Sequence, residues 1–164
     1  MIIVSDTTPI ITLSKIERLD LLQKLFENIM IPSAVYNELT SNAQFQEEAK
    51  VISDAEYIKV VEVEDSKAVE LLQRATGLDL GESEAIIYTD SYKSGLLLID
   101  ETKGRKVAKQ MGISVMGTVG ILMAAYDEKF ISSYEIREYI KIMKNVGRHI
   151  SDKLYAQLLD AIEE

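Results

Sequence analysis

The stretch Met1-Ile2-Ile3-Val4-Ser5-Asp6-Thr7-Thr8-Pro9-Ile10 decides how this chain folds. A short apolar run stops on a carboxylate and passes at once into a helix-like segment, where Thr8 reads as a cap and Pro9 suits a first helical position. Leu96-Leu97-Leu98-Ile99 repeats the pattern and stops on Asp100. In an open parallel α/β sheet, ligands bind outside the carboxyl ends of the strands. Two aspartates at two such ends therefore point to one shared crevice.

Outward from these runs the chain alternates apolar stretches with amphipathic ones, the signature of an α/β fold with a parallel sheet. Residues 2–5, 28–31, 58–63, 96–99 and 113–116 are the expected strands, about five in all. Leu21, Leu22, Leu25 and Phe26 repeat at helical spacing, and Pro32-Ser33 opens the next helix, Ala34 to Thr40. Polar residues 41–57 read as a surface helix, and 66–76 and 81–94 as two further helices broken at Gly77. Thr102 begins a helix through Gln110 that Gly112 ends, and Gly117-Thr118 begins another through Tyr126. After Phe130 two purely helical segments follow, about 133–145 and 151–163, with Ser133 and Ser151 as N-caps and Gly147 between them. With no repeat or linker, the expectation is a single domain over 1–164, an α/β core over 1–131 and a C-terminal helical hairpin over 132–164.

Composition narrows the chemistry. A chain of 164 residues can bury about two-thirds of its unfolded surface. Cysteine is absent, which excludes disulfides, thiolate nucleophiles and sulfur-bound zinc. The single histidine, His149, lies in a polar stretch and suits a buried polar or capping role, so a Ser-His-Asp triad or a two-histidine metal site has little to work with. Apolar runs fall short of the ~20 residues of a membrane span, and no basic leader precedes the first strand. The expectation is a soluble, cytoplasmic protein. Net charge is −9, which disfavours broad attraction to phosphate backbones and confines any nucleic-acid contact to a local patch. Lys103, Arg105, Lys106 and Lys109 form one basic group, and Lys141, Lys144 and Arg148 another; both also read as solvated helical turns.

Two glutamates join the aspartates. Glu82, Ala85, Ile86 and Thr89 share one helical face, so the Glu82 carboxylate continues an apolar stripe. A buried anion there needs a cation, because burial of an unpaired charge costs several kcal/mol, of order ~3 or more. Glu84 falls on the opposite side and reads as solvated. Glu38 shares a face with Val35 and Leu39 on a shorter segment. Each acid also has a plainer reading: Glu82 as a first-turn acid facing the helix dipole, Glu38 as a boundary residue, Asp6 as a turn former, Asp100 as the cap of the helix near Thr102. Taken together at one sheet edge, they suit a hard divalent cation such as Mg²⁺ or Mn²⁺, held by oxygen ligands with water and substrate phosphate. Such an ion would activate water for in-line attack on a phosphodiester, with no protein nucleophile required.

Val4 to Ile10, Ile31-Pro32-Ser33-Ala34-Val35-Tyr36-Asn37-Glu38-Leu39, Leu80-Gly81-Glu82-Ser83-Glu84-Ala85-Ile86, Leu98-Ile99-Asp100-Glu101 and Gly117 to Leu122 occur in an order that resembles the PIN domain, a family of metal-dependent nucleases. The resemblance implies a three-layer α/β/α fold, with Asp6, Glu38, Glu82 and Asp100 at the acidic active-site positions and Asp6, Glu82 and Asp100 as metal ligands. It also implies a hydroxyl near the metal at Thr7 or Thr8, with Lys103 and Arg105 as candidate phosphate contacts. Many members carry a polar pair before the fourth acid where this chain has Leu98-Ile99, so Asp100 and Glu101 share that assignment. The activity implied is a Mg²⁺- or Mn²⁺-dependent endoribonuclease, similar to toxins of toxin–antitoxin pairs, which dimerise and are restrained by a small antitoxin. The competing reading is a PIN-like binding or scaffold protein that cleaves poorly. A receiver or phosphatase domain fits less well, since Ser5-Asp6-Thr7-Thr8 lacks a second aspartate, and no Gly-x-Gly-x-x-Gly follows the first strand to suggest a dinucleotide.

Overall fold

The computed structural model describes residues 1–147 and 151–162. His149 and Arg148, read above as a polar or capping residue and part of a basic group, lie outside the described residues, as does the end of the last expected helix at 163. In chain order the elements are β1 (Ile2–Ser5), α1 (Thr7–Lys15), α2 (Asp20–Phe26), β2 (Ile29–Pro32), α3 (Ser33–Ser41), α4 (Gln46–Asp54), β3 (Ile58–Val61), α5 (Ser66–Thr76) and α6 (Leu80–Asp90). There follow β4 (Gly95–Leu98), α7 (Thr102–Gln110), β5 (Ser114–Met116), α8 (Thr118–Asp127), α9 (Ser133–Asn145) and α10 (Asp152–Ile162).

The five strands form one parallel sheet in the order β3-β2-β1-β4-β5, with Ile2 to Ser5 of β1 in register with Gly95 to Leu98 of β4. Because side chains alternate along a strand, the sheet feeds two separate cores. Ile3, Ile29, Ile31 and Leu98 pack on one face with Ile10, Leu13, Leu22, Leu39 and Ile121. Val4, Leu97 and Ile99 pack on the other with Ala85, Ile86 and Ala108. Helices α1, α8, α9 and α10 supply the first core and α6 and α7 the second, which makes the three layers of an α/β/α fold.

Several local expectations shift by a residue or more, each for a traceable reason. Helix α1 starts at Thr7 with Asp6 at the cap position, so Thr8 does not cap it; Pro9 falls third in the helix, where its missing N–H is still one no helical carbonyl would accept. Residues 41–57 do not make one surface helix. Asn42 accepts from the Gln44 N–H at 2.9 Å and opens a single 3₁₀ turn, Ala43–Phe45, before α4, which buries Ile52 and also Glu48, paired with Lys15. The third strand stops at Val61 instead of reaching 63, and Glu62 accepts from the Ser33 hydroxyl at 2.7 Å. Helix α6 ends at Asp90 rather than 94. Ser132, not Ser133, caps α9, where it and Glu135 satisfy each other's backbone N–H in a capping box. Ser151 accepts from the Leu154 N–H at 3.2 Å and caps α10 as read.

Candidate functional site

The strand order sets the place of the site. From β1 the chain moves to β2 and β3 on one side, then returns to place β4 on the other, so the topological switch falls between β1 and β4. The ladder continues past the strand ends: the Asp6 N–H donates to the Leu98 carbonyl at 2.9 Å, and the Ile99 N–H to the Met116 carbonyl at 2.9 Å. Asp6 and Asp100 are thereby delivered to the two lips of that crevice.

Asp6 is only 5% exposed. Burial pushes its carboxyl up to about 7; the Thr7 amide opposes the rise, and the charges of Asp79, Glu38 and Asp100 add to it. Glu82, 6% exposed, sits in the first turn of α6 on the buried face with Ala85, Ile86 and Thr89, as its helical spacing requires. Its carboxyl is likewise pushed up, by burial first and then by Asp79 and Asp6. Its Oε2 is buried without a hydrogen-bond partner. A Cβ on Gly104 would stand 2.6 Å from Ile99 Cδ1 and 3.0 Å from Glu82 Oε2, so α7 passes over Glu82 only because this helical residue has no side chain.

Glu38 projects from α3 and is exposed, with Oε2 accepting from the Thr7 hydroxyl at 2.9 Å. Thr7 is thus held by a carboxylate at the crevice. Asp100 does not cap α7. Its oxygens turn to the start of α8, accepting from the Thr118 N–H at 2.7 Å and the Thr118 hydroxyl at 2.6 Å. There the backbone donors and dipole favour an anion. Gly117 makes room, since a Cβ there would lie 2.9 Å from Asp100 Oδ1. Glu101 takes the cap position of α7, is exposed, and adds to the negative field at Glu82.

Glu84 departs from the expectation that it is solvated. Its Oε1 accepts from the Ala34 N–H at 3.0 Å, so α6 reaches across and caps α3. An orphan donor at a helix start is a strong attractor for a nearby carboxylate, which helical spacing alone does not reveal. Arg105 Nη1 donates to the Ile99 carbonyl at 2.9 Å and lies beside Asp100 at the Gly117 position. Lys103 reaches the end of α5, its Nζ 3.0 Å from where a Cβ on Gly77 would stand.

Asp79 completes the group and was not singled out from sequence. Its Oδ1 caps α6, accepting from the Glu82 N–H at 2.8 Å. The spacing Asp79-x-x-Glu82 is that of a capping acid and the third residue of its helix, which is the signal that would have found it. With Ala34, Asn37, Glu38, Leu80 and Gly81 it lines a shallow depression of about 320 Å³ next to the crevice. A roomier hollow of about 480 Å³, lined by Ser14, Lys15 and Tyr57 among others, lies away from these acids.

The donor set is all oxygen, which suits a hard divalent cation. Among the described residues no three acids stand at the spacing of a closed ligand shell. Mg²⁺ is ordinarily held by one or two carboxylates with water and phosphate filling the other positions, so a wider arrangement fits it. A divalent cation at this end of the sheet would give the unpartnered Glu82 Oε2 a partner and offset the repulsion that raises Asp6. A family model described as a PIN domain matches residues 2–164. No curated protein matches the chain.

Proposed function

This chain belongs to the PIN-domain family, and on that premise we propose that it is a metal-dependent endoribonuclease, the toxin half of a toxin–antitoxin pair, acting through Asp6, Glu38, Glu82 and Asp100. The single observation that carries the reading is Glu82 Oε2, a buried carboxylate oxygen with no hydrogen-bond partner, on a side chain near enough to Asp6 to feel its charge. Strongly perturbed carboxyls in a crevice are where binding and catalysis concentrate.

Asp6, Glu82 and Asp100 would hold the ion, and Mg²⁺ or Mn²⁺ would supply there a low-pKa water and neutralisation of charge on the phosphoryl group. Thr118 fixes the Asp100 carboxylate through two hydrogen bonds and leaves it little freedom to turn away. Glu38 lies at the open rim, bonded to Thr7, where a carboxylate can take a proton from the attacking water. Thr7 and the basic side chains Lys103 and Arg105 are the candidate contacts to the RNA backbone. A negative protein with a concentrated acidic crevice suits a small basic antitoxin chain across that opening, and a homodimer is expected by likeness to such toxins. A binding protein of weak cleavage is the second reading, favoured by the wide spacing of the acids.

RNA cleavage by the purified protein, with Mn²⁺ added or chelated, separates the two. Cleavage that needs the ion and disappears in Asp6→Asn supports the nuclease; ion binding without cleavage leaves the binding protein; neither would reject both.

A further inference from the structure

The nuclease reading uses four acids, and the structure brings a fifth to the same place. We propose that Asp79 is a positioning residue of the site, one that holds Glu82 toward the crevice and supplies negative charge for the bound ion, in addition to capping α6. The inference rests on the reading of the crevice as a divalent-cation site.

Three observations lead to it. Asp79 Oδ1 accepts from the Glu82 N–H at 2.8 Å, which fixes the first turn of α6 from which the Glu82 side chain projects. Asp79 Oδ1 and Glu38 Oε2 both lie against Gly81, 3.7 and 3.5 Å from where a Cβ would project, which joins the acid of α3 to the acids of α6 across a position without a side chain. Glu82 itself is 6% exposed and its Oε2 lacks a partner, so the cluster contains a buried oxygen that awaits one.

The hydrogen bond of the cap requires an acceptor at this position but not a charge. Serine or asparagine accepts from the same N–H about as well. An aspartate adds a charge that both Asp6 and Glu82 repel. That charge is favourable once a cation is shared among them.

The test is calorimetric titration of Mn²⁺ into the full chain, comparing wild type with Asp79→Asn and Asp79→Ser, and thermal unfolding of each without metal. Both variants keep an N-cap acceptor and lose the charge. The expected result is Mn²⁺ affinity weakened about tenfold or more in both, the scale of a lost outer-shell partner, with melting temperatures at or above wild type. Asp79→Glu, which keeps the charge, should recover part of the affinity. Wild-type affinity in either neutral variant would overturn the proposal and leave Asp79 as a cap. If the wild type took up no Mn²⁺ at all, the cation-site reading would fall, and this inference with it; the two failures are distinct on the same instrument.

Discussion

Acids meet acids in the crevice between β1 and β4, whereas at the junction of α1, α2 and α9 they meet an arginine. Arg18 Nε donates to Asp20 at 3.0 Å, and its Nη1 to Glu135 at 3.1 Å and to the Tyr139 hydroxyl at 2.6 Å. The consequences for the carboxyls are opposite. Burial raises Asp20, but the Arg18 bond and charge outweigh it and hold the group below its usual value; at Glu135 the Ser132 amide is the leading cause of a similar fall. Asp6 and Glu82 are driven upward instead. One region places charge where it ties helices together. The other places charge where it opposes folding, which is the condition in which a bound cation gains most.

Neutralising the crevice should have the largest effect. Asp6→Asn or Glu82→Gln is expected to reduce metal-dependent cleavage by at least about 100-fold, more than the loss of an outer-shell partner, while the metal-free protein melts no lower than wild type. Turnover at the wild-type rate in either variant would show that the site has been placed wrongly.

The same contrast has a pH signature. The Asp6 carboxyl is raised from 3.8 to about 7 on folding, so between these values the unfolded chain binds fewer protons than the native one. Stability from this group is fully present below the lower value and is lost as pH rises through the upper. Asp20 and Glu135 run the other way, contributing above their unfolded values and losing that contribution as pH falls. Melting curves of the metal-free protein, run across mildly acidic to neutral pH, should show a shallower downward trend in Asp6→Asn, with Glu82, raised in the same direction, supplying the remainder; an unchanged trend would remove Asp6 as a source.

Arg18→Ala is the matching experiment in the other region. Loss of charge-assisted hydrogen bonds to a largely buried guanidinium should cost about 2 kcal/mol and leave Mn²⁺ affinity as it was. Coupled loss of both would mean that the two regions are not independent. Smaller still is Gly104→Ala. Helix propensity favours alanine by roughly 1 kcal/mol, overpacking against Ile99 and Glu82 costs about 1–3 kcal/mol, and the net destabilisation should be about 1 kcal/mol. Its sharper readout is Mn²⁺ affinity, which should fall because the added methyl displaces Glu82; retained affinity would mean that Oε2 is not a ligand.

The parallel strands and the buried face of α6 were legible because both are periodic patterns within one segment. Val4, Leu97 and Ile99 announce themselves as core, and Glu82 inherits its inward direction from Ala85 and Ile86. What stayed hidden depends on partners distant in the chain. Asp100 reads as a cap for the helix that follows it, yet the N-terminus of α8 competes for it and wins with two donors from Thr118. Glu84 reads as solvated until α3 brings the Ala34 N–H beside it. Gly104 and Gly117 are unremarkable in sequence, and only the packed structure shows that each clears space for a carboxylate. Asp79 was the one omission that a local rule, the spacing of a cap and its third residue, would have caught.

Strand β4 pairs with β1 in full register, and the Leu98 carbonyl anchors the Asp6 amide. A chain emerging from the ribosome therefore carries Asp6 for a long interval with no neighbour on that side, and Asp100 gains its own anchor only when Thr118 follows. The two aspartates of the crevice are therefore fixed only after more than two-thirds of the chain has been made, and a shorter copy lacks the backbone that holds them side by side.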